Sequence, residues 1–433
     1  MLRIILVLFS LIKIFAYKNF TFYKELKKDQ FGEGIPQRFH FSSDGNITFI
    51  TLNEDIKGIT SNIYMIDYKD SPPVQIFDNI FTKNNIYSAT DFYIDNEDNY
   101  YLLDQGQINK ENIVTEGTSK IISISSNITD NNNAKIINFK SIDLKNSFLT
   151  DIVVEQSGEY AYIVDSGNNN PGIIVVNLIN DQENAYKVLN NHEPFKPSKN
   201  KRRLAEGKRE LYKFSNEEKR TYTIRLSCND ETLYFSSKTE TKIYSVSTSE
   251  IKSAIKRYKN SKTQNDLDKI TVYSANKGFN VHNFLISSSN NMFILNNNDA
   301  LIEVSFNIDK DLSNYKIVNT TKMYFSKDKK DKIYSIDAYN GNLYILDFAQ
   351  NDIYHLDKAE IKNGESNSYS GCSVFIFKIS GANIFIFVYF FLVLVLTIII
   401  IIANSGNALE KSKIKKDEAK KANIEELNKN LNE

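Results

Sequence analysis

Four histidines, His40, His192, His282 and His355, are spread along 433 residues, and none sits in the His-Glu-X-X-His spacing that puts two zinc ligands on one helix face. No Gly-X-Ser-X-Gly elbow offers an activated serine, and no glycine-rich loop runs into Lys-Ser or Lys-Thr to cradle a phosphate. What local spacing does offer is modest. Asn19, Asn46, Asn127 and Asn319 each stand two residues before Ser or Thr and are glycosylation acceptors on a secretory route. Cys228 and Cys372 lie far apart in a chain large enough to fold without a disulfide, so two unpaired thiols are expected. Any chemistry must therefore come from residues that the fold brings together.

The balance of 53 basic and 53 acidic residues leaves no net charge and gives no bulk electrostatic pull toward nucleic acid. The 41% hydrophobic content, with 28 Phe and 25 Tyr, suits a sizeable β-rich core. Met1 to Ala16 has a basic start, an apolar run and a small final residue, the pattern of a secretory signal peptide. Ile384 to Ala403 is 20 residues without a charge, long enough to span a bilayer as a helix. The lysines beyond it (Lys411, Lys413, Lys415, Lys416, Lys420 and Lys421) assign that side to the cytosol. These features lead to an expected single-pass type I membrane protein with its main domain extracellular or lumenal. A polar stalk at 358–383 and a cytosolic tail at 404–433 complete that layout.

Between the two ends, one kind of unit recurs. In FLTDIVVEQSGEYAYIVDSGNNNPGIIVVNL, residues 148–178, three strand patterns are separated by turn-forming segments. Their apolar residues occupy both alternating sets of positions, which fits strands buried on both faces. Similar turns occur in FHFSSDGNITFI, FYIDNEDNYYLL, IRLSCNDETLYFSS, FLISSSNNMFIL and SIDAYNGNLYIL. With Gly45, Asp98, Gly158, Asp230, Asn290 and Gly341 as equivalent turn positions, the intervals are 53, 60, 72, 60 and 51 residues. Six repeats of this length predict an all-β, six-bladed β-propeller over residues 17–357, with a basic surface insertion at 196–220 in the long interval. The last unit ends near Asp357 without a fourth strand, so Phe20 to Leu26 is expected to complete it and close the ring.

The central segment, LTDIVVEQSGEYAYIVDSG with PGIIVVNL and VLNNHEPFKPS after it, resembles the major royal jelly protein and Yellow family of six-bladed β-propellers. The resemblance extends to GIPQRFHFS, to DFYIDNEDNYYLLDQG and to LSCNDETLYFSSKTETKIYSVSTS. In related lactonase-type propellers it implies a divalent cation on the central axis, held by carboxylate and amide oxygens. This chain departs from that pattern: Thr150 replaces an Asn before Asp151, and Tyr222-Thr223 and His282-Asn283 replace Asp-Gly pairs. The residues left to line an axial pocket are Asp91, Thr150, Asp151, Tyr222, His282 and Asn283. No catalytic residue, metal ligand or cofactor is assigned. His192 and Asp165-Ser166-Gly167 match family segments and are read as turn geometry, with Gly167 supplying a positive φ.

The reading is a membrane-anchored module that binds a small molecule or a protein without catalysis. One alternative is a lactonase- or Yellow-like enzyme with a reduced or absent metal site. The other, by resemblance alone, is a small amine-binding protein.

Overall fold

The computed structural model describes residues 21–31, 34–55, 58–67, 71–107, 114–125, 134–139, 142–167, 171–179, 185–190, 192, 195, 222–237, 241–276, 281–286, 291–296, 300–306, 317–325, 332–339, 342–348, 353–360, 416, 419 and 420. The chain divides into two units, Met1–Ile376 and Phe377–Glu433. Of the second, Lys416, Ala419 and Lys420 are described, and they are helical.

The first unit begins with β1 (Thr21–Lys27) and a single 3-10 turn. Sheet 1 contains β2 (Ile35–Phe41), β3 (Ile47–Asp55), β4 (Gly58–Ile66) and β5 (Val74–Ile76), followed by helix α1 (Asp78–Lys83). Sheet 2 contains β6 (Ala89–Ile94), β7 (Tyr100–Asp104), β8 (Lys120–Ile124) and β9 (Ala134–Asn138). Sheet 3 contains β10 (Leu149–Val154), β11 (Tyr160–Asp165), β12 (Gly172–Asn177) and β13 (Ala185–Val188). Sheet 4 contains β14 (Tyr222–Leu226), β15 (Thr232–Ser237) and β16 (Lys242–Ser247); after α2 (Thr248–Ser261) and α3 (Asn265–Asp268), β17 (Tyr273–Asn276) completes it. Sheet 5 contains β18 (Val281–Ile286), β19 (Asn291–Asn296), β20 (Ala300–Phe306) and β21 (Ile317–Phe325). Sheet 6 contains β22 (Lys332–Tyr339), β23 (Asn342–Phe348) and β24 (Ile353–Glu360), and its fourth strand is β1, antiparallel to β24.

The apolar pattern of 148–178 is realised as expected: β10 is buried along its whole length, and only Tyr160 of β11 is partly exposed. Alternate side chains of one strand point to opposite faces. Tyr162 and Val164 therefore pack with Ile224 and Phe235 of sheet 4, while Ala161 and Ile163 pack with Leu103 and Ile121 of sheet 2. Comparable apolar clusters lie between sheets 1 and 2, 4 and 5, 5 and 6, and 6 and 1.

The expected fold class needs correction. Hydrogen-bonded pairing stops at the fourth strand of every sheet, so there are six separate antiparallel sheets and no ladder closes them into a single propeller ring. The first strands do lie side by side, β2 with β6, β6 with β10, β10 with β14, β14 with β18, β18 with β22 and β22 with β2. What joins them is side-chain packing and side-chain-to-backbone bonding. Nor is the unit all-β, because α2 buries Ile251, Ala254 and Ile255 against sheet 4.

The membrane assignment is corrected as well. Among the described residues no helix is long and apolar enough to cross a membrane, so the type I single-pass topology, the membrane as partner and the extracellular or lumenal placement that rested on it are not supported. The run 384–403, from which that assignment came, lies outside the described residues, as do the signal peptide at 1–16, nearly all of the stalk and the basic insertion at 196–220. A 20-residue apolar run satisfies the length requirement, but spanning also requires that the run form a helix.

The repeat frame drawn from turn positions has a conformational cause. Gly45 (φ 90), Asp98 (φ 59), Gly158 (φ 66) and Asp230 (φ 57) all take the left-handed region, where glycine is free of strain and aspartate is tolerated. Each donates its N–H to the carbonyl three residues earlier: Ser42, Asp95, Glu155 and Ser227. Where aspartate occupies the position, its carboxylate reaches the preceding sheet. Asp98 accepts from the Ser43 N–H at 2.6 Å, and Asp230 accepts from the Gln156 N–H at 2.7 Å.

Two outcomes follow. Deleting Thr21–Lys27 removes the buried Leu26 and bares the edge of β24, and the melting temperature should fall by at least ~5 °C in a thermal scan. Burial, chiefly, and Glu155 raise the pKa of Asp230 to about 6, so the folded state binds its proton more tightly than the unfolded chain does. That contribution is fully present below the ordinary carboxylate pKa and is lost as pH rises through about 6. Asp230→Asn keeps the acceptor for Gln156, and urea denaturation should show it gaining on the native protein from pH 4 to pH 7. A constant difference across that range would refute the assignment.

Candidate functional site

The site is built by β-bulges at the starts of the first strands. Pairing registers shift between Pro36 and Arg38, Ala89 and Asp91, Leu149 and Asp151, Val281 and Asn283, and Ile333 and Ser335. A bulge inserts one residue and re-aims the next side chain. The residues after the bulges, together with Thr223 in unbulged β14, form a set running Arg38, Asp91, Asp151, Thr223, Asn283 and Ser335. Each precedes an apolar residue, Phe or Ile, that packs between sheets.

Arg38 connects three sheets. Its Nη1 lies 2.8 Å from Asp151 Oδ1 and 3.4 Å from Asp91 Oδ2, and Nη2 donates to the Thr150 carbonyl at 3.4 Å. Arg225, two residues after Thr223 and so on the same strand face, donates through Nη1 to both Asp151 oxygens at 3.2 Å and through Nη2 to Asn283 Oδ1 at 3.1 Å. Thr223 Oγ1 lies 2.9 Å from Asp151 Oδ2 and 3.1 Å from Asn283 Oδ1, with one hydroxyl proton between the two acceptors. The carboxylates also accept backbone donors from the next sheet: Ile152 N–H to Asp91 at 2.9 Å and Ile224 N–H to Asp151 at 3.1 Å. Asp337 of β22 reaches sheet 1 in the same way, accepting the Phe41 N–H at 3.0 Å with His40 Nδ1 at 3.3 Å.

The two central carboxylates differ in protonation. Burial works against the Asp151 charge, but Arg38 and Arg225 outweigh it and hold the carboxyl well below the usual range. For Asp91 burial dominates: Arg38 offsets it only partly, Asp151 adds repulsion, and the carboxyl is pushed well above its ordinary value. Asp91 Oδ1 is buried with no hydrogen-bond partner among the described residues.

The sequence-based candidates divide accordingly. Asp91, Asp151 and Asn283 are brought together. Thr150 is the bulge residue itself, and its Oγ1 pairs with Ser166 Oγ at 3.0 Å, so only its carbonyl takes part. Tyr222 and His282 precede Thr223 and Asn283 on their strands, and their side chains lie outside the described residues. Arg38, Thr223 and Arg225 were missed. A usable signal existed, since Arg38, Asp91, Asp151, Thr223 and Asn283 all stand seven residues before their turn positions.

Among the glycosylation candidates, Asn46 lies in the β2–β3 turn and donates to Asp44 at 2.7 Å; Asn319 is on β21 with its side chain undescribed; Asn127 is outside the described residues. Cys228 is a free thiol, and Cys372 is not described.

The Asp-X-Gly segments are structural. Asp104 accepts the Ser88 and Gly106 N–H groups at 2.8 and 3.0 Å, and Asp165 accepts those of Phe148 and Gly167 at 2.9 and 2.8 Å. Gly106 has a φ of 90, but Gly167 is required for space, because a Cβ there would lie 2.3 Å from the Asn146 carbonyl oxygen. His192 forms a turn, as expected, accepting the Phe195 N–H at 3.0 Å through its carbonyl.

An axial divalent cation does not fit this arrangement. Its oxygen donors would be Asp91, Asp151, Thr223 and Asn283, and guanidinium nitrogens already stand 2.8 to 3.4 Å from the two carboxylates and from Asn283. The described cavities lie elsewhere. One of about 550 Å³ is lined by Ser42, Asp44, Phe77, Asp78, Asp98 and Tyr100, and one of about 360 Å³ by Tyr186, Lys187, Tyr258 and Lys262. Neither contains an axial residue.

Removing Asp151 leaves two guanidinium groups buried without their shared partner. Asp151→Ala should cost ~3–5 kcal/mol in denaturant unfolding, against a small effect for Asp266→Ala, whose ion pair with Lys269 is long at 4.0 Å and largely exposed on the lysine side.

Among solved structures, the luciferin-regenerating enzyme aligns at a TM-score of 0.45 with 8% identity, over 82% of this chain and 99% of that one. Kuenenia stuttgartiensis hydrazine synthase aligns at 0.42 with 11% identity, over 63% and 72%. The periplasmic gluconolactonase of Pseudomonas aeruginosa aligns at 0.38 with 10% identity, over 75% and 85%. At these values the likenesses carry no argument. The search of curated proteins returns no match. The family model for major royal jelly protein matches residues 87–363, more than half of the chain. With its β-propeller-like set of six four-stranded sheets, the chain belongs to the major royal jelly protein family.

Proposed function

We propose that the protein is a lactonase- and Yellow-related binding module that holds a small ligand bearing a carboxylate or another oxyanion, using Arg38 at the axis and no metal ion in the binding step. The observation that carries this reading is the order of exposure. The Arg38 side chain keeps 13% of its surface accessible, against 1% for Asp91 and for Asp151. An approaching ligand meets the cation of the network before its anions. A guanidinium offers directional donors to an oxyanion, whereas an ammonium ligand would meet like charge. This argues for an anionic ligand over an amine.

A second reading, a lactonase- or Yellow-like reaction without a resident metal, is favoured by Asp91. A carboxyl kept protonated by burial can deliver a proton, and Arg38 beside it can stabilise a developing oxyanion. Family membership alone decides between neither reading.

Calorimetry with a panel of small carboxylates and amines, in the presence of a chelator, tests the proposal. Carboxylate binding that Arg38→Gln weakens by ~10-fold or more is the expected result, in line with loss of one charged hydrogen-bonding partner. Amine binding with no carboxylate binding would overturn it. Chelator-resistant lactone hydrolysis lost in Asp91→Asn would select the second reading.

A further inference from the structure

We infer that the cavity between the outer edge of sheet 3 and the helical insertion of sheet 4 is a second binding site, away from the axis, that takes a neutral polyhydroxy compound of monosaccharide size. Among the described residues only sheet 4 has helices between its third and fourth strands. α2 packs on sheet 4, and α3 lies against β13, the outermost strand of sheet 3. His192 Nε2 donates to the Asp268 carbonyl at 2.7 Å and ties α3 to the segment that follows β13. The space roofed in this way is about 360 Å³, within the roughly 300–1,000 Å³ of small-molecule sites.

Two polar groups of its lining are buried and under-bonded. Asn190 Oδ1 has no hydrogen-bond partner among the described residues. It is seated against Gly172, where a Cβ would lie 2.6 Å from it, so glycine makes its room. Lys187, buried on β13, donates to Asp165 Oδ2 at 2.5 Å. That carboxylate is the only hydrogen-bonding partner of its ammonium among the described residues, which leaves two of three N–H donors open. Buried groups left unbonded are costly, and a ligand that both donates and accepts relieves the two together. Each hydroxyl of a sugar does both. The charges decide against an ion. Asp165 neutralises Lys187, and Asp143 opposes Lys262 at the exposed rim, so an anion gains no net attraction. A cationic ligand would meet Lys259 and Lys262, which lie 5.4 and 5.9 Å from the ring centroids of Tyr186 and Tyr258. The two tyrosines, edge to face at 6.1 Å, supply an apolar wall for the C–H face of a sugar ring.

The test is calorimetry of the full chain with glucose, galactose and mannose, and with glucuronate and glucosamine as charged counterparts. At least one neutral hexose should bind at one site per chain, and the two charged sugars should bind more weakly. Asn190→Leu removes the acceptor at nearly constant volume and should weaken hexose binding about fivefold or more. Gln264→Trp, at an exposed position on the rim, should abolish it while leaving the melting temperature unchanged. If Asn190→Leu does not fold, Gln264→Trp decides. The inference is overturned if none of the three hexoses binds, if glucuronate or glucosamine binds more tightly than all of them, or if either folded variant binds hexose as well as the native protein does. Arg38→Gln should leave hexose binding unchanged, so a failure here and a failure of carboxylate binding at the axis are read separately.

Discussion

Charge balance at the axis is the constraint on which the arrangement of sheets depends. Six first strands lie side by side there, and the residues that follow four of the bulges, Arg38, Asp91, Asp151 and Asn283, meet where little water remains to solvate them. Two carboxylates left alone in such a place would repel each other and lose hydration, at a cost of several kcal/mol per ion. Arg38 at 2.8 Å and Arg225 at 3.2 Å from Asp151 supply the compensating charge. Because each guanidinium reaches across to other sheets, the same bonds that neutralise the axis also hold the sheets in register. The burial-raised pKa of Asp91 shows the limit of that compensation: Arg38 is shared, and Asp151 has the better part of it.

Away from the axis, apolar packing takes over. Each sheet buries both faces, so every boundary between neighbours is a small core with its own aromatic and branched residues, such as the stacked Phe195 and Phe235 between sheets 3 and 4. At the turn end, Asp98 and Asp230 hold the preceding sheet through its backbone N–H groups. Gln105 links sheets 2 and 3, donating to the Ser147 carbonyl at 3.0 Å and accepting the Leu149 N–H. Polar reach at axis and rim, with apolar contact between, explains how separate sheets remain together without a continuous strand ladder.

This division of labour also changes the meaning of the family resemblance. The central segment, 148–178, lies in a sheet whose described strands are buried almost throughout, and most of its residues serve packing. Thr150, which first marked a departure from a metal-binding pattern, turns out to bond Ser166 as the bulge residue. The decisive departure lies elsewhere, in a first strand that precedes the residues matched by the family model, 87–363. Arg38 sits in PQRFHF, where a basic residue among alternating apolar ones looks like an ordinary solvated position. Its partners are 53 and 113 residues away in the chain, and no local pattern links them.

The amino-acid sequence by itself determined the six repeats, their turn positions, the burial of the central strands on both faces and the use of the N-terminal strand in the last sheet. All of these follow from local rules: period-two alternation, backbone sterics at glycine and aspartate, and the need of a three-stranded unit for one more edge. Only the tertiary structure decided which polar side chains meet. It brought Thr223 into contact with Asp151 and Asn283, gave Gly167 a steric role in place of a conformational one, kept the sheets as separate hydrogen-bonded units, and put two arginines among the carboxylate and amide oxygens of the axis. Contacts between sheets depend on bulge direction and side-chain length across long sequence separations, and these are properties of the packed chain that no window of residues contains.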